Sequence, residues 1–305
     1  MERTVINIAQ NHFNYVVESV TALGGGFYGR AFLIKFINDP IKVVAKLYLY
    51  SNLAENEANQ IETLAKSSIL KMPHIYGVYL ACDTGYEHDV VLMEYFDGFN
   101  AGWQNVSSFS TQDRYNICEN IVDNLISIHS TINKEGFGEI NSTQYYNTWQ
   151  DFYRIKARSI VCKAREFHSA NQISDHVLSV FEKSFNQFDD VFYLPITEAR
   201  LIHGDYNTWN IMLNKQKNAA AYVIDPFGCC YGDSEYDLYQ LDNANGIEYG
   251  LLKRYAEKVG LSPNFEIKKR FYRLYSEICH YYDAHVPVDY DAAEKMATDL
   301  EVLLL

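Results

Sequence analysis

Five positions separate Asp205 from Asn210 in the stretch Leu201-Ile202-His203-Gly204-Asp205-Tyr206-Asn207-Thr208-Trp209-Asn210-Ile211-Met212-Leu213. The polar loop lies between two apolar runs, and Ala220-Ala221-Tyr222-Val223-Ile224 then leads straight into Asp225-Pro226. This order reads as loop, short hairpin, loop. A hairpin turn at Asn214-Lys215-Gln216-Lys217-Asn218 brings Asp225 back beside Asn210, because residues that flank paired strands are neighbours in space. Asp205, Asn210 and Asp225 then converge. Such oxygen ligands suit Mg²⁺, which keeps several waters and completes its shell with substrate phosphates. A phosphoryl-transfer site is implied.

The spacing H-x-D-x-x-x-x-N followed by a downstream Asp resembles the arrangement of protein kinases. Two departures point to kinases of small molecules: Gly204 stands where protein kinases carry Arg, and the last triplet is Asp225-Pro226-Phe227. The segments His203 to Asn210 and Ile224 to Leu238 resemble the aminoglycoside phosphotransferase and fructosamine kinase superfamily, whose loop reads H-G-D-x-x-x-x-N. The run from Asp225 through Tyr231-Gly232 and Glu235 to Leu238 is similar to the fructosamine kinase pattern D-P-x-x-x-Y-G-x-x-E-x-x-L.

The resemblance implies an α+β, bilobal, protein-kinase-like fold. Its small N-terminal lobe, residues 1–96, would bind nucleotide on an antiparallel sheet. A larger helical lobe, residues 97–305, would carry catalysis and acceptor binding. ATP, with GTP as the alternative, would lie between them with Mg²⁺ on Asn210 and Asp225. Asp205 would take the proton of the acceptor hydroxyl, and Asp237 would buttress the loop.

Gly24-Gly25-Gly26-Phe27-Tyr28-Gly29 has the spacing G-x-G-x-x-G and is followed by the strand-like Ala31-Phe32-Leu33-Ile34-Lys35-Phe36-Ile37. In a dinucleotide-binding fold such glycines open a helix. A strand after them favours the kinase design, a hairpin turn over the ATP phosphates, with Gly24, Gly26 and Gly29 allowing close backbone approach. A turn at Asn38-Asp39-Pro40 leads to the alternating run Ile41 to Leu49, similar to the Val-Ala-x-Lys strand of kinases, with Lys46 placed for the α and β phosphates. Helical spacing of Ala54, Ala58, Ile61, Leu64 and Ala65 predicts a helix over Asn52 to Ser67. On it Glu57 is the expected partner of Lys46, with Glu55 and Glu62 as rivals. Two strands follow, Pro73 to Leu80 and Val90 to Phe96. In the family this strand exit is the hinge, so the resemblance assigns adenine recognition to the backbone from Glu94 to Phe96.

Helices are expected from Ser110 to His129, Trp149 to Phe167 and Ser174 to Phe188, and over most of Tyr249 to Leu305. His129 reads as structural. Gly232 to Leu238 should open a helix capped by Asp233 or Ser234. Fructosamine kinases carry Trp two positions after the loop Asp, where this chain has Asn207; its own tryptophan is Trp209.

A chain of 305 residues with a formal charge of −13 argues against nucleic acid, which demands clustered Lys and Arg. The acidity fits a cationic acceptor or simple solubility. Six cysteines without a C-x-x-C pair, and an N-terminus lacking an apolar core, lead us to expect a cytoplasmic protein with no membrane span. Cys229 and Cys230 read as buried packing. Asp225 and Asp233 are eight positions apart, too close for the long loop that presents a polypeptide substrate. Small hydroxylated molecules are therefore preferred, and the resemblance implies an amine-bearing polyol of aminoglycoside or fructosamine type as the acceptor. Choline, homoserine and methylthioribose are alternatives, as is a non-catalytic nucleotide-binding pseudokinase. A hydrolytic metal site at His203 and Asp205 ranks lower, for want of a second histidine.

Overall fold

The computed structural model describes residues 1–37 and 39–304; Asn38, within the expected turn, and Leu305 lie outside them. The architecture is α+β and two-lobed. Helix α1 (Glu2–Phe13) is stopped by Asn14 in the left-handed conformation, φ 56°, a common way to end a helix. Strands β1 (Val17–Gly24), β2 (Gly29–Phe36), β3 (Asp39–Tyr48), β4 (Ile75–Tyr79) and β5 (Val90–Glu94) form one sheet in the order β1-β2-β3-β5-β4. Every neighbouring pair in it is antiparallel.

Alternation along β2 buries Phe32, Ile34 and Phe36 against Val5, Ile8 and Ala9 of α1, as the two-residue period of a strand requires. Strand β3 starts at Asp39, two residues earlier than its apolar alternation suggests. The Asp39 carboxylate accepts from the Ile41 backbone N–H at 2.8 Å, so a turn-type contact is absorbed into the strand.

Helix α2 (Leu53–Ala65) crosses behind the sheet. Its Ile61 and Leu64 pack with Ile117, Ile121 and Leu125 of the long helix Thr111–His129, so a single apolar cluster spans both lobes. Ser110 caps that helix by accepting from the Asp113 N–H at 3.0 Å.

The second lobe is built on helices Trp149–Ser169, Asp175–Asn186, Phe265–Asp283 and Tyr290–Glu301. Thr148 and Ser174 cap the first two. Their core is unusually aromatic: Trp149 stacks on Tyr153 with centroids 5.0 Å apart, and Phe271 on Tyr275 at 3.9 Å. Buried Lys268 pairs with Asp233 and Glu235, each at 2.7 Å, which fixes the start of the next element. That element, Ser234–Asp242, is the expected helix, of the 3-10 type, and Asp233 is its cap, accepting from the Glu235 N–H at 3.0 Å. Cys229 and Cys230 are buried thiols, and burial pushes Cys230 up to about 12. Among the described residues no helix is long and apolar enough to cross a membrane.

Candidate active site

The hairpin Ile211–Leu213 with Ala220–Val223 pairs Ile211 with Val223. Just beyond it the Ile224 N–H donates to the Asn210 carbonyl at 2.9 Å. Asp225 therefore returns beside Asn210, and it does so in the left-handed region at φ 58°, a conformation that costs free energy for any residue but glycine.

The catalytic-loop candidate is held from below by one carboxylate. Asp237, fully buried, accepts from the His203 N–H at 2.8 Å and the Gly204 N–H at 2.7 Å, and its Oδ2 lies 3.1 Å from His129 Nε2. His129 in turn meets the Tyr255 hydroxyl at 2.9 Å through Nδ1, so its place is structural. Gly204 sits at φ +85°, and a Cβ there would lie 2.0 Å from the Phe227 carbonyl oxygen. Only glycine fits. His203 is buried and burial pulls it down to about 4, so it is neutral at pH 7; among the described residues its Nε2 has no hydrogen-bond partner.

Asp205 is oriented by two amides. Asn207 Nδ2 donates to its Oδ1 at 2.6 Å, and Asn210 Nδ2 to its Oδ2 at 2.7 Å. Burial, reinforced by the nearby charges of Asp225 and Asp237, pushes this carboxyl up to about 7 against the pull of those two bonds. Asn207 also caps the short turn Thr208–Asn210, its Oδ1 accepting from the Trp209 N–H at 2.9 Å. Sequence reasoning saw Asn207 only as a missing tryptophan; its i to i+2 spacing from Asp205 was the available signal.

Lys46 Nζ lies 2.7 Å from Glu57 and 2.5 Å from Asp225. Burial opposes its charge, yet Asp225 and Glu57 outweigh burial and raise its affinity for the proton. Glu57, not Glu55 or Glu62, is the partner, and it also accepts from the Tyr48 hydroxyl at 2.9 Å. Lys46, Glu57, Asp205, Asn210 and Asp225 are thus brought together.

The glycine turn joins β1 to β2, the hairpin expected of a kinase. Gly24 ends β1 at φ +135°, and a Cβ on Gly29 would lie 2.6 Å from the Leu47 carbonyl oxygen. Gly26 faces open space, whereas a Cβ on Gly25 would meet Arg30 Cδ at 2.5 Å. Steric demand therefore falls on Gly24, Gly25 and Gly29. Arg30 Nη1 donates to the carbonyls of Gly26 and Gly29 at 2.6 and 2.9 Å, gathering the turn's acceptors to one side.

At the strand exit, the Glu94 carboxylate pairs with Lys71 and Phe96 stacks on Tyr222 at 4.0 Å. Both side chains are engaged within the fold, and the Glu94 N–H donates to the His74 carbonyl at 2.9 Å. Beneath the loop, Asn124 Oδ1 accepts from the Ile69 and Leu70 N–H groups at 2.7 and 2.8 Å and from the Ser68 hydroxyl at 2.8 Å. Its Nδ2 donates to the Tyr206 hydroxyl at 3.0 Å.

The donor set fits a hard cation. Asn210 spends its amide nitrogen on Asp205, which leaves Oδ1 for a ligand, and the Asp225 carboxylate is half-exposed. Oxygen donors with room for phosphates suit Mg²⁺. Among the described residues no group of three or more His, Cys, Asp or Glu is placed to hold a metal by itself.

The fructosamine kinase family model matches residues 1–296. An uncharacterised protein of Escherichia coli (strain K12), YcbJ, is 22% identical over 250 residues, 79% of this chain and 78% of that protein. Among solved structures, a candidate fructosamine-3-kinase from Haemophilus somnus 129PT superposes with a TM-score of 0.74 at 16% identity, covering 98% of this chain and 97% of its own. A thermostable aminoglycoside phosphotransferase, APH(4)-Ia, in complex with AMP-PNP and hygromycin B, gives 0.74 at 15% identity over 99% of this chain and 98% of its own.

Proposed function

We infer, from the premise that the chain belongs to the fructosamine kinase family, that this small-molecule kinase transfers the γ-phosphate of ATP to a hydroxyl of an amine-bearing polyol. The observation that carries this reading is the Asp205 carboxylate, aimed by Asn207 and Asn210 into the crevice where Lys46 meets Asp225. In the proposal residues 1–96 hold the nucleotide and 97–305 hold the acceptor. Backbone groups from Glu94 to Phe96 would meet adenine, and the turn Gly24, Gly26, Gly29 would lie over the phosphates. Lys46, steadied by Glu57, would hold the α and β phosphates.

Mg²⁺, when bound by Asn210 and Asp225, would neutralise charge on the transferred group. Asp225 would then exchange Lys46 for the cation. Asp205 orients the acceptor hydroxyl and takes its proton as the new O–P bond forms and the bond to the ADP oxygen breaks. Such a reaction depends on positioning and on charge stabilisation, which two amide donors on one carboxylate supply. The presence of Lys46, Asp205, Asn210 and Asp225 together weighs against a pseudokinase. Anionic surroundings favour cationic acceptors, and hygromycin B is the ligand of the APH(4)-Ia complex.

The test is ADP release with Mg-ATP, and separately Mg-GTP, across fructosamines, aminoglycosides and simple amino alcohols, with Asp205→Asn beside the wild type. Turnover on one class, lost in the variant, is expected. Absence of any nucleotide binding would sink the reading.

A further inference from the structure

Phe27 and Tyr28, at the tip of the glycine turn, make contacts that the turn itself does not need. The Tyr28 ring stacks on Phe227 with centroids 4.9 Å apart and planes at 21°. Its hydroxyl lies 3.5 Å from His280 Nδ1, at the far end of helix Phe265–Asp283. Phe27 meets the same His280 edge-on at 5.0 Å. Tyr50, at the end of the next hairpin, touches Tyr28 at 6.4 Å and His285 at 5.7 Å. The Phe227 carbonyl, in turn, is the atom packed against Gly204, the neighbour of Asp205.

These contacts join the segment after Asp225, the glycine turn and helix Phe265–Asp283, with Tyr28 touching both Phe227 and His280. They are also of a kind that opens cheaply. Phe27 and Phe227 are 50% and 44% exposed, and a hydrogen bond of 3.5 Å is at the limit of being one. The Tyr28 phenol has an acidic setting: burial raises its hold on the proton, and Asp283 and Asp205 add to that. It is therefore a neutral hydroxyl under the influence of the Asp283 and Asp205 charges, suited to meet a hydroxyl or ammonium group.

We propose that Tyr28, clasped by Phe227 and His280, closes the acceptor side of the crevice over Asp205, positions the acceptor through its hydroxyl and keeps water from the γ-phosphate. An acceptor entering the site takes the place of His280 as the partner of that hydroxyl, and the ring stack remains as the wall. The proposal rests on the kinase reading above. It assigns to the glycine turn a second duty, selection of the acceptor, beyond covering phosphates.

The test uses the full chain with Mg-ATP, fructosyl-lysine as the acceptor probe, and the variants Tyr28→Phe and Tyr28→Ala. Acceptor-free ATP hydrolysis is measured first. Tyr28→Ala should raise it by about fivefold or more as water gains access, while Tyr28→Phe, which keeps the stack, should not. In the acceptor reaction Tyr28→Phe should raise the KM for fructosyl-lysine about tenfold, the scale of one lost hydrogen bond, and leave the KM for ATP unchanged.

A wild-type KM for the acceptor in Tyr28→Phe would overturn the positioning role. A KM for ATP that rises in step would reduce Tyr28 to a structural part of the turn. If wild type leaves fructosyl-lysine untouched, that result counts against the substrate reading, and hydrolysis still decides the lid: a Tyr28→Ala rate equal to wild type overturns it. Melting temperatures of all variants guard against simple unfolding, and Tyr28→Phe retains every ring contact.

Discussion

Replacing Asp205 by Asn should stop catalysis and stabilise the metal-free protein. The folded protein holds this carboxyl at about 7, against an ordinary value of 3.8, through burial and the charges of Asp225 and Asp237. Ionising it at pH 8 therefore costs at most ~4 kcal/mol of stability, at ~1.4 kcal/mol for each tenfold change in proton affinity. Two effects reduce the gain from removing that charge. The side chain keeps partial access to solvent, which screens the repulsion. An asparagine has one oxygen, so it keeps only one of the two amide donors, a loss of ~1 kcal/mol. A net stabilisation of ~1–2 kcal/mol remains, or roughly 2–6 °C in Tm for a chain of this size.

The sign with pH follows from the folded value lying above the unfolded one. The stabilising contribution of protonated Asp205 is complete below about pH 4 and is lost as pH rises through about 7. The advantage of Asp205→Asn should thus be full at pH 8 and fall by roughly half or more at pH 5, other groups titrating alike in both proteins. Thermal melts in EDTA at the two pH values measure it. Equal stability at pH 8, or an advantage that ignores pH, would refute the electrostatic account. In the same preparations turnover should drop by about 10²-fold or more with nucleotide affinity retained.

Asn207→Ala should lower kcat about tenfold with little change in the KM for ATP, since it frees one oxygen of Asp205; steady-state kinetics with each substrate varied would show it. Lys46→Met should raise the KM for ATP and also lower Tm, because Glu57 is left as an uncompensated buried charge worth ~3 kcal/mol; Glu57→Gln added to it should recover part of the loss in a melt. Gly204→Ala should cost ~2 kcal/mol or more, from the left-handed backbone and the Phe227 carbonyl in the path of the new methyl, read as soluble yield and Tm.

Some of this crevice was legible from local chemistry. A five-residue turn between two apolar runs forces Asp225 back to Asn210 whatever the rest of the chain does, and helical spacing puts Glu57 on the face shared with Ile61 and Leu64. Other parts depend on contacts that no local pattern encodes. Tyr28 and His280 are 252 positions apart, and Arg30 folds back on its own turn by a choice of rotamer. The helix expected after Gly232 is present, but the buried Lys268 that pairs with Asp233 and Glu235 at its start comes from far along the chain. The start of β3 was missed for the opposite reason: Asp39 and Pro40 carry turn propensity that the sheet overrides.

Asn124 gives the two lobes a pivot. One amide, wholly enclosed, grips the strap at 68–70 with its oxygen and the floor of the loop with its nitrogen. Any rocking of one lobe on the other that keeps these bonds turns about this pin, so its displacement grows with distance from it. The glycine turn, at the far end of the sheet, is the long arm of the lever: a few degrees at the pin become ångströms at its tip. The Ile69 and Leu70 amides should then be among the slowest to exchange with solvent deuterium, while the turn they swing exchanges fast.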